Sequence, residues 1–144
     1  MTIHDLISAL NTTWDKNAPA SLADVEEVES VMHLMFPDDY KVVLHWSDGG
    51  EGPIGTEYLS LWAVDELHTL NQNYEIQARL PGFFGIGTDG GGICFGFDLR
   101  ESINCFCSVP LGDLEWESLV PLGRFATVLS KWISGEALGN QRHE

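Results

Sequence analysis

A few groupings of residues in this chain have the types and spacing that chemistry would need. Asp89-Gly90-Gly91-Gly92 has the glycine density of a loop that wraps a phosphate in backbone N–H groups. It lacks the Lys and the Ser/Thr of a P-loop, and it joins two strand-like runs, 83–88 and 93–99, rather than a strand and a helix. A hairpin turn needing positive φ angles accounts for it. His4, His33, His45, His68 and His143 fall in different segments without the spacing of a zinc pair, and no CxxC complements them. No metal and no cofactor is therefore expected.

Thiol and carboxylate chemistry is equally poorly supported. Cys94, Cys105 and Cys107 are odd in number, and Cys105 and Cys107 would share one strand face. Buried, reduced thiols in a cytosolic protein account for them, and no disulfide is expected. A reactive thiolate needs an electropositive setting that this chain hardly offers. The serines stand in no G-x-S-x-G context. Asp38-Asp39 and Asp65-Glu66 are adjacent in sequence, whereas acid–base work needs carboxylates that face each other across a substrate. Both pairs sit at expected helix starts, where the helix dipole explains them. No catalytic residue is expected, and the chain reads as not an enzyme.

The elements that would position these groups follow from periodicity. Leu6, Ile7 and Leu10 mark a short N-terminal helix. Ser21-Leu22-Ala23-Asp24 reads as a capping box opening a helix whose apolar stripe is Leu22, Val25, Val28, Met32 and Met35. Phe36-Pro37-Asp38-Asp39-Tyr40 starts another helix, ended by Gly49-Gly50. Residues 51–56 hold three turn-formers and are expected as an irregular loop, followed by a strand at 58–62 and a helix at 64–74. Strands are expected at 83–88, 93–99, 103–111 and 116–122, with a turn at Gly112-Asp113. Phe125, Val128, Leu129, Trp132 and Ile133 give a terminal helix closed by Gly135. Helices at both ends with hairpin-linked strands between them argue for an α+β fold: a central, mostly antiparallel sheet flanked by N-terminal helices and a C-terminal helix.

Length and charge limit the function. The 144 residues fit a single domain, 1–144, large enough to bury a core without disulfide staples. Twenty-two Asp and Glu face seven Lys and Arg, a net charge of −15. The excess is local: residues 17–78 carry twelve acids and one base, Lys41. Nucleic acid and anionic membranes are repelled by such a surface. A basic protein is attracted and steered by it, although solubility alone would also account for the acidity. The N-terminus has no signal-peptide pattern and no stretch approaches a membrane span, so a cytoplasmic protein is expected.

The run Phe36-Pro37-Asp38-Asp39-Tyr40-Lys41, then Trp46-Ser47-Asp48-Gly49-Gly50-Glu51-Gly52, resembles the "LP-x-DYK…NGG-x-G" signature of the SUKH superfamily. Leu61-Trp62, Glu66-Leu67, residues 71–74, residues 85–92 and Phe95-Gly96-Phe97-Asp98 follow in the same order. The resemblance runs over about residues 21–135. The family's usual Asn before the paired glycines is Asp48 here, and its Leu before the proline is Phe36. The resemblance implies an α+β domain with no catalytic residues to transfer. It also implies similarity to bacterial immunity proteins that bind and neutralise a toxin, often a nuclease. The alternatives are an intracellular regulatory or scaffold module of the cell-wall-assembly type and, more remotely, an enzyme of unknown type.

A partner-binding site is expected where acids lack a structural duty. Helix starts explain Asp24, Asp38, Asp39, Asp65 and Glu66, and helix faces explain Glu26, Glu27, Glu29 and Glu75. Asp48, Glu51 and Glu57 remain, flanking a Gly-rich loop. They are expected to face a basic, nuclease-like toxin, joined by Asp38 and Asp39, with Trp46 or Trp62 as an apolar anchor. Core packing is the simpler account of both tryptophans.

Overall fold

Helix starts in this chain are fixed by side chains that reach back to free N–H groups. In the computed structural model, which describes residues 2–100 and 105–135, Thr2 and Asp5 form a reciprocal capping box over α1 (Ile3–Leu10). Ser21 caps α2 (Leu22–Met32) by accepting the Asp24 N–H at 3.1 Å. Pro37 precedes α3 (Asp38–Trp46), with both aspartates in its first turn.

Six strands then form one sheet: β1 (Gly50–Ile54), β2 (Glu57–Leu61), β3 (Phe83–Thr88), β4 (Ile93–Asp98), β5 (Cys105–Pro110) and β6 (Val120–Gly123). Their spatial order is their chain order and every pair is antiparallel, a six-stranded meander. Two helices, α4 (Val64–Asn73) and α5 (Ile76–Arg79), are inserted between β2 and β3. The chain then returns through α6 (Phe125–Ile133). The α+β class is as the residues imply, and the sheet is antiparallel throughout.

One sheet face packs on α3 and α6 through aromatic rings. Phe106 lies 5.2 Å from Phe125 and 6.1 Å from Trp132, and Tyr40 lies 5.5 Å from Phe97, all fully buried. On the other face, Asn71 of α4 grips β3. Its Nδ2 donates to the Leu67 and Gly85 carbonyls, and its Oδ1 accepts from Gly85 N–H and Gln77 Nε2, all at 2.8–2.9 Å. Helix α2 sits further out and packs chiefly on α4.

Several expectations need correction. Residues 51–56 are not an irregular loop: Glu51 to Ile54 belong to the edge strand β1, which turns through Gly55-Thr56 into β2. Pro53 is tolerated there because its missing N–H faces the open edge. Glu51, two residues earlier, turns its backbone the same way and accepts the Asp15 N–H at 2.7 Å. Gly52 admits the neighbouring strand of chain, since a Cβ there would stand 2.7 Å from the Thr13 carbonyl oxygen.

Residues 116–122 do not form one strand. Trp116–Ser118 is a 3-10 turn that lays Trp116 under the Arg100 guanidinium, 3.4 Å from the ring centroid, and β6 starts only at Val120. Residue 103 lies outside the described residues, so β5 is seen from Cys105. In the Asp89–Gly92 hairpin only Gly90 takes a positive φ, 85°, and nothing crowds Gly92.

The expected stripe on α2 also differs. Val25 is buried, but Leu22 and Met35 stand in water, and the buried position one turn after Val25 is Glu29. Its carboxylate accepts the Phe36 N–H at 2.8 Å and pairs with Lys41 Nζ at 3.3 Å. The helix stops at Met32 because His33 turns left-handed, φ 55°. That reversal sends Met35 away from the stripe.

Candidate protein-interaction site

The residues around the paired glycines are tied into a strap. Trp14 Nε1 and the Ser47 hydroxyl both donate to the Gly49 carbonyl, at 3.2 and 2.8 Å. The Asn17 N–H donates to Ser47 Oγ, and its side-chain amide donates to the Asp48 carbonyl at 2.9 Å. Gly49 and Gly50 have φ of 74° and 97°. A Cβ on Gly50 would sit 2.5 Å from the Asp15 carbonyl oxygen, and one on Gly49 would sit 2.8 Å from that of Leu61. The glycine pair therefore serves close backbone approach on both sides.

Asp48 has a duty that its sequence context does not reveal. Its carboxylate accepts the Val64 N–H at 2.7 Å and so caps α4 from outside the helix, while Glu66 accepts the Ala63 N–H at 3.1 Å. Partial burial holds the Asp48 carboxyl above the usual range; the Val64 N–H opposes this, and the charges of Asp65, Asp24 and Glu66 add to it.

Asp48 lines a cleft of about 500 Å³ between α2 and α4. Asp24 and Glu27 reach it from α2, Asp65 and His68 from α4, and Val28, Val31 and Val64 supply apolar wall. Among the described residues that line it there is no lysine or arginine. Lys41, the sole base of residues 17–78, is engaged with Glu29. The positive N-terminal ends of α2 and α4 make this gathering of carboxylates tolerable.

The other expected site residues do not gather here. Asp38 and Asp39 stand at the opposite end of α3, a helix about 13 Å long at 1.5 Å per residue. Asp39 is engaged in the fold: one oxygen accepts the Tyr40 N–H at 2.9 Å and the other accepts the Ala126 N–H at 3.0 Å, joining α3 to α6. Glu51 and Glu57 fall on opposite faces of the β1–β2 hairpin, because Glu57 pairs with buried Ile54 and Glu51 is three residues before Ile54. Glu51 approaches the exposed Tyr58, whose phenol is raised by desolvation and by this carboxylate.

Trp62 is buried and stacked on Tyr74 at 6.0 Å. Trp46 is half-buried, tilted against Trp14 at 6.5 Å with Lys16 Nζ 5.9 Å from its ring centre. The site residues that sequence reasoning missed are Asp24, Glu27 and Asp65. Each had been assigned to helix starts or faces, and only the packing of α2 on α4 brings them to Asp48.

Burial raises the Cys94 thiol to about 12 and pushes Cys107 up as well, so neither is poised as a thiolate. Among the described residues no group of His, Cys, Asp and Glu is arranged to hold a metal ion, and no helix is long and apolar enough to cross a membrane.

Residues 19–121 match the SMI1/KNR4 family, SUKH-1. The chain belongs to this SUKH family. The match ends before α6, which the resemblance in the sequence had included. No curated protein matches the chain. SUKH proteins act in general as immunity or regulatory proteins that bind protein partners, and they are generally non-enzymatic. The family's glycine motif is accounted for here by the strap and by the cap on α4.

Proposed function

We propose that this SUKH protein is an immunity protein that binds and neutralises a basic, nuclease-like toxin domain in the cytoplasm through its acidic surface. The observation that carries this reading is the α2–α4 cleft, where Asp24, Glu27, Asp48 and Asp65 meet without a lysine or arginine among the described lining residues. Like charges held together in a partly apolar cleft repel one another, and a lysine or arginine from a partner relieves that repulsion. A nuclease carries such residues in its substrate groove, because phosphate binding requires them. Asp38, Asp39, Glu51 and Glu57 add to the field that steers the partner, with the half-buried Trp46 as an apolar contact at its margin; the buried Trp62 is left to the core.

The test is stopped-flow association with candidate basic nuclease toxin domains, across a salt series. At low salt the rate is expected near ~10⁸ M⁻¹s⁻¹, falling steeply as the Debye length shrinks below ~10 Å. Glu27→Lys with Asp65→Lys should slow association at least tenfold with little change in melting temperature. Glu51→Lys and Glu57→Lys, on opposite hairpin faces, should act separately and more weakly. A rate indifferent to salt and to the cleft reversals would overturn the electrostatic reading. Tight binding to a regulatory protein of the host instead of the toxin would move the chain to the regulatory branch of the family.

A further inference from the structure

The cleft lies on one flank of α2, and the other flank is a groove of different character. It measures about 380 Å³ and is walled by Leu22, Val25, Leu34 and Met35, with Glu26 at its rim. Leu22 is 63% exposed and Met35 69%, although both are large apolar side chains. Val31, on the cleft side of the same helix, is 49% exposed. Leu22 and Met35 line the same groove, and adjoining exposed apolar residues mark a contact surface better than scattered single ones do. The groove floor is electrically quiet, because its one cation, Lys41, is matched by Glu29.

Charge decides what can lie there. The exposed acids of α2 are Asp24, Glu26 and Glu27, and the helix has no basic residue in its last turn. With Lys41 matched by Glu29, the carboxylate left at the rim of the groove is Glu26, so an apolar row that carries a cation along its edge is favoured over an acidic one. We propose that this groove takes an amphipathic helix of a protein partner: the helix's apolar row packs on Leu22, Leu34 and Met35, and a lysine or arginine at its edge lies against Glu26. The proposal rests on the acidic-surface reading and deepens it. The partner grips α2 from both sides, steered by the cleft flank and retained by the apolar flank. Electrostatic contacts of this kind act chiefly on association, and desolvated apolar contacts act chiefly on dissociation.

The experiment uses the full chain and two synthetic probes of equal charge. One is an amphipathic leucine–lysine helix peptide; the other replaces every leucine with serine. Titration of the first, followed by amide chemical shifts, should perturb residues 22–35 and give an affinity at least tenfold above that of the serine peptide. Leu22→Ser with Met35→Ser should remove that tenfold advantage and leave the melting temperature within a degree or two, since both side chains are exposed. Equal affinity for the two peptides, shifts mapping elsewhere, or full affinity in the double variant would overturn the groove. The two readings fail separately. Salt-sensitive binding that ignores the double variant removes the groove and keeps the acidic surface. Loss of leucine-peptide binding in the double variant, with no response to Glu27→Lys and Asp65→Lys, keeps the groove and removes the electrostatic cleft.

Discussion

Beneath α3 and α6, Phe106 is fully buried and meets four aromatic rings at 5.2–6.1 Å; at α2 and the turn that follows it, Leu22 and Met35 leave about two-thirds of their surface in water. In the first region Asp39 joins α3 to α6 by accepting two backbone N–H groups, while the buried Tyr40 hydroxyl and Trp132 Nε1 have no partner among the described residues. The second region gathers carboxylates around a cleft with one histidine and no stronger base among the described lining residues. Close packing makes the aromatic face intolerant of change. The α2 layer, held chiefly through α4, can vary its exposed residues without touching the sheet. On the proposed reading, stability and recognition are separated by one layer of structure, and substitutions should sort accordingly.

The sharpest way to break that division is at its rigid end. Phe106→Ala removes a fully buried ring from the centre of the aromatic face and should cost about 3–5 kcal/mol, read as a loss of chemical-denaturation free energy. Toxin association by the fraction that remains folded should be unchanged. A loss below about 1 kcal/mol would mean that the aromatic face is not the stabilising half.

Asn71→Ala tests the joint between the two regions. It leaves the Gly85 N–H and carbonyl without their Asn71 partner, while the Gln77 amide keeps the Phe83 carbonyl, and should cost about 2–3 kcal/mol. Because α4 carries α2, this variant should also weaken the partner complex. Hydrogen exchange should then rise first in α4 and α2. Exchange rising equally across the whole chain would count against a separable outer layer.

Asp39→Ala should cost about 1 kcal/mol through the freed Ala126 N–H, whereas Asp38→Ala, exposed in the same first turn, should be close to neutral. Equal effects at the two positions would show that their shared helix start, not the link to α6, sets the energy.

The smallest effect concerns Asp48, and its sign is informative. A carboxyl held above its ordinary range favours the protonated form in the folded state. Its charged form therefore weakens the fold at neutral pH, and that penalty fades as pH falls through the raised folded range and is absent below the ordinary Asp range. Asn keeps an oxygen for the Val64 N–H and removes the charge. Asp48→Asn should raise stability at pH 7 by about half a kcal/mol, with the gain shrinking in melts at lower pH. A lower melting temperature at pH 7 would show that the cap needs the charge.

The sequence disclosed the aromatic face more fully than the α2 layer. Phe125, Val128, Leu129 and Trp132 repeat at helical spacing, and all four are buried. The β3–β4 hairpin was legible from two apolar runs around a glycine turn. Strand β1 was hidden because proline and two glycines look like loop residues until the edge and the neighbouring chain explain each of them. Within the site, Asp48 was legible as important but not as a cap, since its partner is sixteen residues away. Glu29 resembled a solvated acid because its two partners, Phe36 and Lys41, lie in the next helix and the turn before it. Local periodicity carries no information about such distant pairs, and the cleft depends on several of them at once.

A meander in which each strand pairs with its chain neighbour is suited to synthesis from one end, since a hairpin can close as soon as its second strand appears. Helix α6 changes that timing. It comes last, yet its Phe125 and Trp132 fill the face made by β4 and β5, and its Trp132 carbonyl abuts Gly55 in the first hairpin. Helix α1, made first, also packs on α6. Until α6 docks, the rings of Phe95, Phe97 and Phe106 lack the cover of Phe125 and Trp132. In that interval the partly folded chain exposes apolar surface, the condition in which aggregation competes with folding.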